Sequence, residues 1–432
     1  MKRLFRIVVV NSFFLDVVIL YIYRVVVARK MLTHEKAKMA VEEFPSNFHT
    51  GIDLMHHPPN EVPITDQSLM EFAGSLEMTA MEITRMKSVA EKVLAHTLQA
   101  IPNANSIEKV IMSECHLCNC GRNDCGLDIV VLMNRSEDVQ STSNHFREKI
   151  QAMTSAASGR SGVAGSGIEA HVPKPMHAET LHFEFEDIHF NLAVGTRHGS
   201  SEEANRFSVW NQIETLDKEN KLKKTHLDQF AIDLYESTTM FMNSQVMPEK
   251  HGAPSGSEKF LQGALRLARA WRQCCLSSRD VQFAPMDAWL IMLKAVHEEM
   301  DKGVQTSKEP TSGISNIGRR LKGLFKGGAH VPQGLSMKNV LRTFLNDLAH
   351  LENVNIMFHD MYDMNKVPAW IKGQRPLVLD PVCPYRNTVY NLHKRVNEDI
   401  KKHAEECLKT LDTPAANLPK LFHLPTYKKR GA

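Results

Sequence analysis

The sequence has little net charge. Lysines and arginines number 52 against 49 aspartates and glutamates, a balance of +3 over 432 residues. Bulk charge therefore gives no reason to expect a polyanionic partner, and only local clusters can supply such a surface. A secreted disulfide framework is also missing. Of eight cysteines, four crowd between Cys115 and Cys125, and the adjacent Cys274 and Cys275 fall in a helical pattern where they do not easily pair with each other. This spacing points to a reducing compartment. Nor is the composition that of a disordered chain, with 43% apolar and 23% charged residues. The length predicts two or three domains with an ample core.

A third absence concerns the N-terminus. Ile7 to Val27 is strongly apolar, flanked by Lys2, Arg3 and Arg6 on one side and Arg29 and Lys30 on the other. No small-residue cleavage site follows it, which argues against a removed signal peptide. The span is near the minimum for crossing a bilayer, and Asp16 and Arg24 interrupt it. Residues 1–30 thus read as a membrane anchor, as a buried helix, or as an over-extended start before Met31. The location expected is intracellular: cytoplasmic, or anchored with the folded domains in the cytosol.

Residues 31–65 form a polar linker containing His56-His57-Pro58-Pro59. Thr65 or Asp66 can cap a long helix in which Leu69, Phe72, Leu76, Ile83, Met86, Ala90 and Leu94 recur at helical spacing, up to Pro102-Asn103.

The chain is organised around the stretch 107–133. Val110–Met112 and Asp128–Met133 read as two strands around a loop holding Gly121, Asn123, Asp124 and Gly126. Loop amides can cradle a phosphate there, while carboxylates two apart on the second strand face one side and hold divalent ions. Asp128 is one such acid; two residues earlier stands Gly126, without a side chain. The same loop carries Cys115, Cys118, Cys120 and Cys125 with His116 beside them. These can ligate zinc tetrahedrally or remain buried thiols.

A helix follows from Val139 to Met153, then a Gly/Ser stretch from Ser155 to Gly167. Its Gly162, Gly165 and Gly167 lack the strand-before, helix-after setting of a nucleotide loop. His182–Phe185 and Ile188–Leu192 alternate as two half-buried strands, with Asn191 on the face of His189 and Ala193. Beyond Thr225 the pattern is helical: Leu227–Met242, Phe260–Cys275, Ala288–Glu299, Val340–His359 and Tyr390–Leu411. Between them, Gly303–Gly334 is basic and glycine-broken, and Pro376–Pro384 is a proline-bounded strand-like run. Strands before helices predict an α+β fold, with a mixed-sheet domain at 66–220, a helical bundle at 221–415 and a basic tail at 416–432.

Three segments carry a family resemblance. Val367–Tyr390 reads VPAWIKGQRPLVLDPVCPYRNTVY, Ala264–Trp271 reads ALRLARAW before PMDAWLIMLKAVHEE, and GRNDCGLDIVVL precedes an apolar strand. Together they resemble the 2'-5'-oligoadenylate synthetase family, within the nucleotidyltransferase superfamily that includes cyclic GMP-AMP synthase. The pattern covers about Ser68 to Leu411. The resemblance implies a nucleotidyltransferase mixed sheet, a long spine helix and a helical C-terminal domain. It also implies synthesis of 2'-5' oligoadenylates from ATP, with two Mg2+ on three carboxylates and double-stranded RNA as activator.

Carried over, the second carboxylate falls on Asp128. The first falls on Gly126, or on Asp124 if the loop is longer by two, and the third falls on Asn191. An amide supplies neither charge nor a base. The phosphate-binding Gly-Ser falls near Met112-Ser113-Glu114, where the glycine is missing and Glu114 repels phosphate. Ser113, Lys259, Arg266 and Arg269 are the nucleotide-binding candidates. Arg319, Arg320, Lys322 and Lys326 around Phe325 are the RNA-binding candidates. The expectation is a degenerate, inactive member that acts as a nucleotide- or RNA-binding scaffold or sensor. An active transferase using Asp124 and Asp128, or a membrane-tethered interaction protein, is the alternative.

Overall fold

Alternation in the 127–133 segment determines the centre of the molecule. In the computed structural model Leu127–Met133 is strand β2, paired antiparallel with β1 (Ile107–Met112). Odd positions Ile129, Val131 and Met133 face one hydrophobic cluster, while Val130 and Leu132 face another. A strand buried on both sides needs apolar residues at nearly every position, which is what LDIVVLM supplies. The structure describes residues 63–99, 101, 104–112, 127–158, 180–186, 188–246, 257–276, 283–304, 335–358, 361–390, 392, 394–413 and 417–422.

Before the sheet stand two helices, α1 (Asp66–Ser75) and α2 (Ala80–Thr97). The single long spine helix expected from the apolar spacing is therefore in two pieces. Thr79 and Glu82 explain the break: Glu82 N–H donates to Thr79 Oγ1 at 3.2 Å, and Thr79 N–H donates to Glu82 Oε2 at 2.6 Å. This reciprocal cap starts a new helix inside the periodic run. The pieces have different partners. Leu69, Ala73 and Leu76 join the large helical core, whereas Met86, Val89, Ala90 and Val93 join the core under the sheet.

After β2 come α3 (Glu137–Ser158), β3 (Leu181–Phe185) and β4 (Ile188–Thr196). The sheet order is β1-β2-β4-β3, with β2 and β4 parallel and both outer pairs antiparallel. One face is covered by α2 and α3, through Phe146, Ile150, Phe183 and Phe190. The chain then continues as α4 (Glu202–Lys218), α5 (Lys224–Asp233) and α6 (Tyr235–Val246). The helix expected over Leu227–Met242 is thus divided at Leu234, and α4, capped by Ser201, has no counterpart among the expected elements. The other sheet face, at Val130, Leu132 and Ala193, meets Ile232 and Tyr235 from this region.

The remaining helices are α7 (Ser257–Cys275), α8 (Pro285–Val304), α9 (Met337–Ala349) and α10 (Lys394–Asp412). They enclose Trp271, Leu290, Phe344 and Ile400. The helix expected to reach His359 stops at Ala349, and the chain turns into strand β5 (Asn355–Ile356), which runs parallel to β6 (Leu377–Val378). The fold is α+β, as the order of the elements predicts.

The 367–390 signature is a structural brace. Asp380 Oδ1 accepts from the N–H groups of Val382 (2.9 Å) and Cys383 (3.2 Å), and Arg386 Nη1 donates to its Oδ2 at 3.0 Å. Asn387 accepts from Val378 N–H and donates to the Pro376 carbonyl. Trp210 of α4 donates its indole N–H to the Val382 carbonyl at 2.9 Å. Among the described residues no helix is long and apolar enough to cross a membrane; the 7–27 stretch lies outside them.

Candidate functional site

Three neighbouring strands bring three polar side chains into one row. The parallel register places Asn191 of β4 beside Asp128 of β2, and the antiparallel register places His182 of β3 beside Asn191. Because side chains alternate, Asp128 shares the face of Val130 and Leu132, the one turned toward α5 and α6.

Asn191 Nδ2 donates to Asp128 Oδ1 at 2.7 Å. The Tyr235 hydroxyl, from the first residue of α6, donates to Asp128 Oδ2 at 3.0 Å. Asn191 Oδ1 lies 2.6 Å from His182 Nδ1. The amide's nitrogen is committed to a carboxylate, so its oxygen is the acceptor, and His182 Nδ1 must carry the proton. His182 Nε2 then faces away from the row, on an exposed residue. Burial pushes the Asp128 carboxyl above its ordinary value, and the bonds from Asn191 and Tyr235 and the positive charge of His182 oppose that rise.

This donor set does not fit the two-ion centre that the resemblance implies. In this row Asp128 is the one carboxylate, both its oxygens already accept hydrogen bonds, and the adjacent side chain donates rather than ligates. No group of three His, Cys, Asp or Glu side chains among them could hold a metal. Ser113, Asp124, Gly126 and the four cysteines Cys115, Cys118, Cys120 and Cys125 lie outside the described residues, as do Arg319, Arg320, Lys322 and Lys326.

The three basic candidates on α7 have different surroundings. Lys259 is exposed. Arg266 is buried at 4% exposure and pairs with Glu77 at 2.9 Å, tying α7 to the joint between α1 and α2. Arg269, also buried, places its guanidinium 5.9 Å from the centre of the Trp289 ring. The structure sets all three on a helix packed against α1, α8 and α9.

Behind the row, a second polar cluster joins the sheet to the helices. Buried Asp233 accepts from Thr196 N–H at 2.7 Å and from Gln229 Nε2 at 2.9 Å, and its other oxygen meets His198 Nε2 at 3.0 Å. Gln212 holds the far ring nitrogen of His198 at 3.1 Å. Glu236 pairs with Lys109 of β1 (2.6 Å) and Arg197 (3.3 Å). This cluster anchors the start of α6, and so sets where the Tyr235 hydroxyl reaches Asp128. Sequence reasoning found Asp128 and Asn191 but missed His182 and Tyr235. The strand alternation around His182 was a usable signal; Tyr235 is 107 residues from its partner and had none.

No protein-family model matches the sequence, and no curated protein matches it. Solved structures similar to this chain include a CdnC from E. coli MS115-1 in complex with HORMA-deltaN, at 14% identity, covering 83% of this chain and 94% of that one with a TM-score of 0.46. The Cid1 poly(U) polymerase with Mg and 3'-dATP is similar at 11% identity, 83% and 98% coverage and a TM-score of 0.46. The GLD-2/RNP-8 complex is similar at 13% identity, 83% and 97% coverage and a TM-score of 0.43.

Proposed function

We propose that this chain is a nucleotidyltransferase-fold protein, akin to the 2'-5'-oligoadenylate synthetases, that binds a nucleotide or double-stranded RNA without transferring a nucleotidyl group. The observation that carries this reading is the 2.7 Å bond from Asn191 Nδ2 to Asp128 Oδ1. In-line displacement at a phosphate needs carboxylates that converge on metal ions and a base for the attacking hydroxyl. Here an amide points its N–H at Asp128, the one carboxylate of the row, which uses up a ligand lone pair and offers no base. The reading is supported further by the mixed sheet with Asp128 at the start of a buried strand, and by the sequence segments around 121–132, 264–271 and 367–390.

The test is an assay of the purified full chain with ATP, Mg2+ and long duplex RNA, following pyrophosphate release. The expected result is no release above the protein-free background, together with measurable retention of nucleotide or RNA. Oligomer synthesis that disappears in Asp128→Ala would overturn the inactive reading and favour an enzyme that uses Asp124 with Asp128.

A further inference from the structure

We propose that His182 is the anion-binding residue of this site, and that it takes the phosphate groups of a nucleotide without a divalent metal ion. The proposal rests on the nucleotide-binding reading above and adds to it how the charge of the phosphates is met.

The row Asp128–Asn191–His182 has one direction. A carboxylate at its inner end accepts from an amide N–H, and the amide oxygen at its outer end accepts from the imidazole Nδ1–H. Each bond orients the next, so the imidazole ring is held with Nδ1 turned inward to the amide and Nε2 turned outward. The inner end is closed by Tyr235 on the second carboxylate oxygen. The outer end is open: His182 is exposed, and its Nε2 is the ring atom left to meet a ligand. Once protonated, Nε2–H is a charge-assisted donor to a phosphate oxygen, with ring orientation already set by Asn191.

Among the described residues the charged and titratable groups on this face include Glu184, His189, Asp128 and Tyr235. Glu184, two residues along the same face of β3, lies 3.5 Å from His189 on the neighbouring strand. Asp128 acts through Asn191, and Tyr235 meets Asp128. Among the described residues β3 is the edge strand of the sheet. The cation that a metal would contribute to phosphate binding is thus available from a side chain, in a row that among the described residues holds one carboxylate, Asp128.

The experiment measures ATP binding to the full chain by calorimetry in EDTA and again with excess Mg2+, at about pH 6 and about pH 8. Expected are binding in EDTA, no tightening with Mg2+, and weaker binding at the higher pH. His182→Ala should weaken binding about tenfold or more, while His182→Lys should retain binding and lose the pH dependence. His182 is exposed, so both variants should keep the thermal unfolding midpoint of the parent, and a melt checks that they do. Binding that requires Mg2+, or that His182→Ala leaves unchanged, overturns this inference and leaves the nucleotide-binding reading standing. Absence of ATP binding under both conditions overturns both.

Discussion

Asn191 and Asp128 sit opposite each other on adjacent parallel strands, and the amide of one donates to the carboxylate of the other at 2.7 Å. Placing a second acid at 191 replaces that bond with two like charges at the same separation. Asn191→Asp should therefore lower stability by about 1–3 kcal/mol at neutral pH, with the loss shrinking as the solution is acidified and one carboxyl takes a proton. Mg2+ should restore part of it. Thermal melts across pH, with and without Mg2+, measure all three effects; a variant as stable as the parent in EDTA at neutral pH would contradict the geometry.

The tautomer of His182 is a second check. Nδ1 should carry the proton of the neutral ring and Nε2 its lone pair, as read by 15N-detected NMR of the imidazole. Asn191→Leu removes the acceptor and should let the two neutral tautomers mix, with the basic nitrogen no longer confined to Nε2.

Asp287 supplies a pH prediction away from the site. Burial raises its carboxyl from the ordinary 3.8 to about 6, opposed by bonds from Thr388 and the Ala284 N–H and by the charges of Arg386 and Arg272. Between those values the unfolded chain loses its proton while the folded chain keeps it, so the folded state binds more protons and stability falls as pH rises. The drop attributable to this group is on the order of 3 kcal/mol and is complete above about 6. Urea unfolding through that window should show it, and Asp287→Asn should remove this part of the slope.

The joint between sheet and helices has its own test. A methyl group added at Gly195 would meet Asp233 Oδ1 and Ile232 Cγ2 at 2.9 Å and Leu132 Cδ2 at 3.0 Å. Gly195→Ala should cost about 1–3 kcal/mol through forced separation of α5 from β4. Asp233→Ala should cost more, about 3–5 kcal/mol, because Thr196 N–H, Gln229 and His198 lose their common acceptor. Chemical denaturation ranks the two.

Local patterns decided much of this molecule. The double-faced apolar run 127–133, the alternation at 181–185 and 188–196, and the helical spacing of α7 to α10 are properties of neighbouring residues, and side-chain period alone translates them into strands and helices. The amide at Asn191 was equally legible, because it is a matter of residue identity. Caps competed with periodicity where the sequence reading failed: Thr79 and Glu82 divide the spine although the apolar spacing runs through them. The 367–390 signature, the most distinctive stretch of the chain, turned out to bind the fold to itself through Asp380 and Asn387. What only the tertiary structure decided is the row across the sheet. His182, Asn191 and Asp128 meet because strand register sets them side by side, and Tyr235 joins them because Asp233 and Glu236 fasten α5 and α6 to the strands. Register and helix docking are set by contacts between residues far apart in the chain, which no local pattern contains.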